Sequence, residues 1–247
     1  MSGGRRVLRR GAAVLAAGVL ALGGAPRLAA QVAPEVMARV QREAWNGVAA
    51  LERMERNATA AAESPRDTLR ARTVAERRAR LDGALRGALD TLLLLGAPGD
   101  SALGRLVAAY PESPLLERYA ARQAARSGRE ALALDRYDRL MVRGAADATL
   151  QIERGETLER LGRTAEAAAG YARALDLDPE AEPPFRALVR VREAGAGLPL
   201  LLEQVRRLRI AMPGSRVLAV REVEVLERLG RAAEAQEAAR AVRERRP

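Results

Sequence analysis

The chain contains no cysteine, no histidine and no lysine. Without cysteine there is no disulfide framework, no thiolate nucleophile and no lipid attachment site behind a leader. Without histidine as well, the usual catalytic triads and the common zinc sites cannot be assembled. Aromatic residues make up only 2% of the sequence, too few for the stacking platforms that hold bases or sugar rings. All 42 basic residues are arginine, and the formal net charge is +10. Alanine, arginine, glycine and leucine dominate throughout, so the excess reflects a bias of the whole chain and a solvated charged surface. Hydrolysis by two carboxylates remains chemically open, yet no spacing singles out such a pair. Asp176 and Asp178 fall in a segment that ends a helix. Gly96-Ala97-Pro98-Gly99-Asp100 has no following Gly-Lys-Ser/Thr and no preceding strand, so it reads as a long turn and not a phosphate loop. These absences point to a protein that is not an enzyme, with no cofactor, no metal and no nucleic-acid partner.

The N-terminus carries an address. Arg5, Arg6, Arg9 and Arg10 precede an apolar run from Gly11 to Ala25, and Leu28-Ala29-Ala30 supplies small residues before Gln31. A basic start, a short apolar stretch and a small-residue exit read as a secretory signal over 1–30. The apolar run is too short for a membrane span, which needs about 20 residues. Cleavage near Ala30 is therefore expected over an N-terminally membrane-anchored form. Arg9 falls where a twin-arginine signal wants a hydrophobe, which favours the general export route. Loss of the leader removes five arginines and no acid, leaving +5. The expected product is periplasmic or secreted, without stable membrane insertion.

The rest of the chain is periodic. Pro179, Pro213 and Pro247 stand 34 residues apart, and Leu158-Glu159-Arg160-Leu161-Gly162-Arg163 returns 68 residues later as Leu226-Glu227-Arg228-Leu229-Gly230-Arg231. A fixed period of this length marks stacked helical hairpins, each too small to bury its apolar face alone. No stretch alternates as a strand does, so the expected fold class is all-α.

Within one period, from Ala148, the sequence places Gly155 at position 8, Leu158 at 11, Ala167 at 20, Tyr171 at 24, Ala174 at 27 and Pro179 at 32. This resembles the tetratricopeptide repeat (TPR), which keeps small residues at 8 and 20 and an aromatic at 24 so that helix A can lie close on helix B. The resemblance implies a TPR-like α-solenoid. The clearest repeat is 148–181. The repeat 114–147 keeps Ala121, Gly128, Ala133 and Tyr137. The repeat 182–215 is degenerate, with Val189 and Leu201 at the small positions and with Gly195-Ala196-Gly197 and Pro199 read as an insertion around its hairpin turn. The C-terminal repeat, 216–247, restores Gly230 and Ala235 but has Ala239 at the aromatic position. A further degenerate unit covers 80–113. Together they span about the last two-thirds of the chain.

Ahead of them, 31–79 reads as a helical lead-in. Val36, Val40, Ala44, Val48, Leu51 and Met54 form one apolar stripe that Trp45 covers. Ser64 or Asp67 would cap a second helix through Val74, Leu81, Leu85 and Leu89, with Leu92-Leu93-Leu94-Leu95 as its buried end.

In this family helix A lines a concave groove that holds protein or peptide partners. Transferred by register, the groove carries Arg118, Arg122 and Arg126 from one repeat and Arg186 and Arg190 from another. Ile152, Glu156, Glu159 and Arg160 come from the central repeat, and Val220, Glu224, Glu227 and Arg228 from the last. Guanidinium groups grip carboxylates, so an acidic segment or a free C-terminus would suit the basic band. The resemblance thus implies a non-catalytic scaffold or adaptor. The second reading is a self-associating homo-oligomeric module of an envelope complex, since no extra polar helix follows the last repeat.

Overall fold

The structure is a computed structural model and describes residues 34–61 and 68–244. The signal reading, the Ser64 and Asp67 caps and Pro247 lie outside the described residues. Among these, every regular element is an α-helix. They divide into two compact units, one ending at Ala120 and one beginning at Ala121.

The first unit contains α1 (Pro34–Ala61), α2 (Thr68–Leu94), α3 (Ala97–Ala109) and the start of α4 (Pro114–Arg126). Val40, Ala44 and Val48 of the stripe are buried against Leu85, Leu89 and Leu92, and Leu103, Leu106 and Leu116 complete the core. Trp45 lies at the margin, 43% exposed and edge-on to Tyr110 with ring centres 5.7 Å apart. Val74 is exposed, and Leu94 breaks the expected burial of the leucine run. The long turn expected at 96–100 is absent. Helix α3 starts at Ala97, with Pro98 in its first turn, where a missing N–H costs nothing. Gly99 explains the close approach: a Cβ there would sit 1.9 Å from the Leu92 carbonyl oxygen. Helix α2 runs unbroken across 79 and 80.

The second unit takes in the end of α4, then α5 (Glu130–Val142), α6 (Ala148–Arg160), α7 (Thr164–Leu177), α8 (Glu182–Ala194), α9 (Leu198–Ala211), α10 (Arg216–Arg228) and α11 (Ala232–Glu244). Helices α4, α6, α8 and α10 start 34 residues apart and each is 13 residues long. The architecture is an all-α, TPR-like array of antiparallel helix pairs.

Local chemistry repeats with the same period. Ser113, Asp147 and Ser215 accept from the backbone N–H of Leu116, Leu150 and Leu218 at 3.4, 2.6 and 3.2 Å. These caps satisfy N–H groups that a helix start leaves without partners. Ala181 holds the fourth such position and provides no side-chain cap. At the other end, Gly128, Gly162 and Gly230 take φ of 70°, 74° and 70°, the left-handed turn that closes a helix. Ala196 stands at the equivalent place with φ 55°. The segment 195–197 is therefore not an insertion. It is the same three-residue turn with alanine where the other repeats have glycine.

Packing follows the small positions. A Cβ on Gly155 would lie 2.6 Å from the Tyr171 ring, and Ala167 is fully buried, so α6 and α7 approach closely. Val189 and Leu201 are both buried at the corresponding sites, and α8 packs more extensively on α7 than on α9. One clamp was not visible in the sequence. Arg221, only 3% exposed, reaches from α10 to donate to the carbonyl oxygens of Pro179 (2.6 Å) and Glu180 (2.8 Å). Its guanidinium also stacks 4.7 Å above the centre of the Phe185 ring.

Candidate functional site

Helices α6, α8 and α10 present one face on which most of the expected groove residues meet. Each helix is turned by burial of its opposite side: Leu150 and Leu158 on α6, Phe185 and Leu188 on α8, Leu218 and Leu226 on α10. Ile152 is half-buried against that core. Arg186, Val189, Arg190, Glu193 and Ala194 of α8, with Arg228 of α10, line an open depression of about 460 Å³ on the face.

The arginines of this face are not a free basic band. Arg122 donates through Nε and Nη2 to Glu153 Oε1 at 2.8 and 2.5 Å. Arg190 donates to Glu159 Oε2 at 2.6 Å, which also receives the Tyr171 hydroxyl at 2.5 Å. Arg186 bonds to Glu182 and, at 2.8 Å, to Glu224 Oε1. Arg228 donates to Glu193 (3.0 Å) and Glu224 (3.2 Å). Arg160 turns to the Ala125 carbonyl at 3.0 Å. Four of these contacts tie one A helix to the next: Arg122–Glu153, Arg190–Glu159, Arg186–Glu224 and Arg228–Glu193. Their partners are separated by 31, 31, 38 and 35 residues respectively. Opposite charges about one period apart were thus the signal available in the sequence, and it pointed to Glu153 and Glu193, which the register transfer had left out.

The remaining arginines of α4 part company. Arg126 is exposed and has no ion pair among the described residues. Arg118 corrects the expectation of a solvated groove residue: it is 8% exposed and belongs to the part of α4 assigned to the first unit.

Protonation follows these contacts. Hydrogen bonding to Glu159 raises Arg190, and hydrogen bonding to Glu182 raises Arg186. Burial, then the bond to Glu159, drives the Tyr171 phenol above its ordinary range and keeps it a donor. Glu156 behaves differently. Its side chain touches water, yet the protein crowded around it holds its carboxyl above the usual carboxylate range, and Glu153 and Glu159 add to that.

Elsewhere the chemistry is structural. Asp176 accepts from Gln204 at 2.9 Å and Arg207 at 2.8 Å, which commits it to the α7–α9 contact. No group of three or more acidic side chains among the described residues could hold a metal ion. No described helix is long and apolar enough to cross a membrane.

No family model and no curated protein matches the chain. Among solved structures, two crystal structures of MamA resemble it at 15% identity and a TM-score of 0.44. Each covers 64% of this chain, and 89% and 83% of their own. A tetratricopeptide repeat protein from Parabacteroides merdae covers 84% of this chain and 79% of its own at 12% identity, with a TM-score of 0.40.

Proposed function

We propose that the chain is a non-catalytic protein-interaction scaffold whose α6–α8–α10 face holds a segment of a partner protein. One observation carries the reading: the open depression between α8 and α10, floored by Val189 and Ala194 and rimmed by paired charges. A small apolar floor with a polar rim suits a side chain from an extended or helical segment. With a leader over 1–30, the scaffold works outside the cytoplasm, in the periplasm or beyond it, as part of an envelope complex.

The test compares two exposed sites in one capture experiment. Ala194→Arg fills the depression, whereas Leu200→Arg alters exposed surface on α9. The parent and Leu200→Arg should retain the same proteins from envelope extract, and Ala194→Arg should lose them. Retention by Ala194→Arg removes the groove from consideration. Mass spectrometry of the exported product should find Gln31 at or near its N-terminus.

Self-association through the last hairpin is the second reading. Ala239 and Val242 of α11 are only half-buried, whereas their counterparts two repeats earlier, Tyr171 and Ala174, are fully buried. Light scattering over a concentration series separates the two: a mass that stays at the monomer value at every concentration excludes self-assembly.

A further inference from the structure

We infer that Met141 is an oxidation site, where the oxygen of the methionine sulfoxide accepts a hydrogen bond from the buried side-chain amide of Gln151. Neither residue lines the depression, and the groove reading plays no part.

What sets Met141 apart is the group it faces. Gln151, near the start of α6, is only 3% exposed. Its Nε2 donates to the Sδ of Met141, near the end of α5, at 3.5 Å. Its Oε1 is buried with no hydrogen-bond partner among the described residues. That end of the amide lies towards α7, where a Cβ added to Gly170 would come within 3.9 Å of it. The amide thus has one partner, a thioether, which is a weak acceptor. A buried polar group served so poorly costs free energy that the folded chain carries. No other methionine among the described residues has such a donor. Met141 is itself half-buried, packed at the margin of the core formed by Ala133, Tyr137, Leu140 and Leu150. It is open to a small oxidant from outside and faces an N–H within.

The oxidant is a peroxide, of which hydrogen peroxide is the simplest. The sulfur lone pair attacks one peroxide oxygen, and the S–O bond forms as the O–O bond breaks. The departing hydroxide takes the proton of the transferred oxygen and leaves as water, so the sulfur is oxidised and the peroxide reduced. Oxidation ordinarily disrupts an apolar site by placing a polar oxygen in it. Here that oxygen meets a donor with nothing better to bind, and the bond ties the end of one repeat to the start of the next. Methionine sulfoxide reductases reverse the step.

The experiment uses the full mature chain with Met37, Met54 and Met212 changed to leucine, a nearly volume-conserving swap, so that Met141 is the remaining thioether. The folded protein is treated with hydrogen peroxide, oxygen uptake is mapped by mass spectrometry, and urea titrations compare oxidised with untreated protein. Gln151→Leu in the same background is treated alike. Met141 should take up one oxygen while the urea midpoint holds or rises. With Gln151→Leu the midpoint should fall on oxidation, by about 0.5 M urea or more relative to the background with Gln151. A Met141 that stays unoxidised until the chain unfolds overturns the inference, as does a midpoint that falls equally with and without Gln151. If Gln151→Leu does not fold, the background with Gln151 decides alone: a midpoint held or raised by oxidation supports the inference, and a lowered one overturns it.

Discussion

At Ala196 the backbone holds φ at 55°, where a side chain crowds the neighbouring carbonyl and glycine does not. The turn survives because it closes the helix all the same: Gly197 N–H reaches the Arg192 carbonyl at 2.7 Å. Ala196→Gly should therefore stabilise the protein by about 1 kcal/mol, read as a higher urea midpoint at unchanged slope. An unchanged or lower midpoint would show that the turn is relaxed as it stands. Glu156 gives a second residue-scale prediction, this time in pH. Its carboxyl is pushed up in the folded chain, so the folded state holds that proton more tightly than the unfolded one. The resulting stabilisation is full below the ordinary glutamate range and is lost as pH rises through the raised value. Glu156→Gln has no such titration. Its stability should match the parent's in acid and pull ahead as pH climbs to neutral, in urea titrations at a series of pH values. A variant that falls behind the parent at neutral pH would mean that the ionised carboxylate supports the fold.

Among the helical pairs, the repeat from Glu182 to Ser215 stands out for what it lacks. Its first helix has neither the cap that Ser113, Asp147 and Ser215 give its counterparts nor the glycine of 128, 162 and 230. What holds it in place is burial of Phe185, Leu188, Leu201 and Val205, with Arg221 fastening the Pro179 turn from the next repeat. Ala181→Ser should add about 0.5–1 kcal/mol. Combined with Ala196→Gly at the opposite end of a helix about 20 Å long, the two gains should sum within about 0.5 kcal/mol. Strong non-additivity in urea would show that α8 does not respond as one unit. These repeats show what the sequence made legible and what it hid. Helix starts and turns were readable because proline, glycine and small residues act through their own backbone geometry and volume. The missing cap and the alanine in the glycine position were equally local, yet the flanking Gly195 and Gly197 disguised the turn as an insertion. The start of α3 was misread for a different reason: whether Pro98 ends a turn or opens a helix depends on Gly99 meeting Leu92, a tertiary contact.

Across the whole molecule, the arginine excess is a weaker guide to binding than the pairing of those arginines. The sequence carries a formal +10, yet the face formed by α6, α8 and α10 is a ladder in which guanidinium and carboxylate groups on adjacent repeats satisfy one another. The register placed the right residues on that face but could not say whom they hold, because side chains about 34 residues apart meet only once the repeats stack. Arg118 was misjudged on the same ground, since the spacing of a helix does not reveal which of its turns is covered. The ladder is largely solvated, and exposed pairs contribute only about 0–1 kcal/mol each. Salt, moreover, screens the repulsion of a net-positive chain together with its ion pairs. Raising sodium chloride from about 0.05 M to about 0.5 M should therefore move the unfolding free energy by less than about 1 kcal/mol. A larger shift, read in urea titrations at the two salt concentrations, would show that the ladder itself supports the fold.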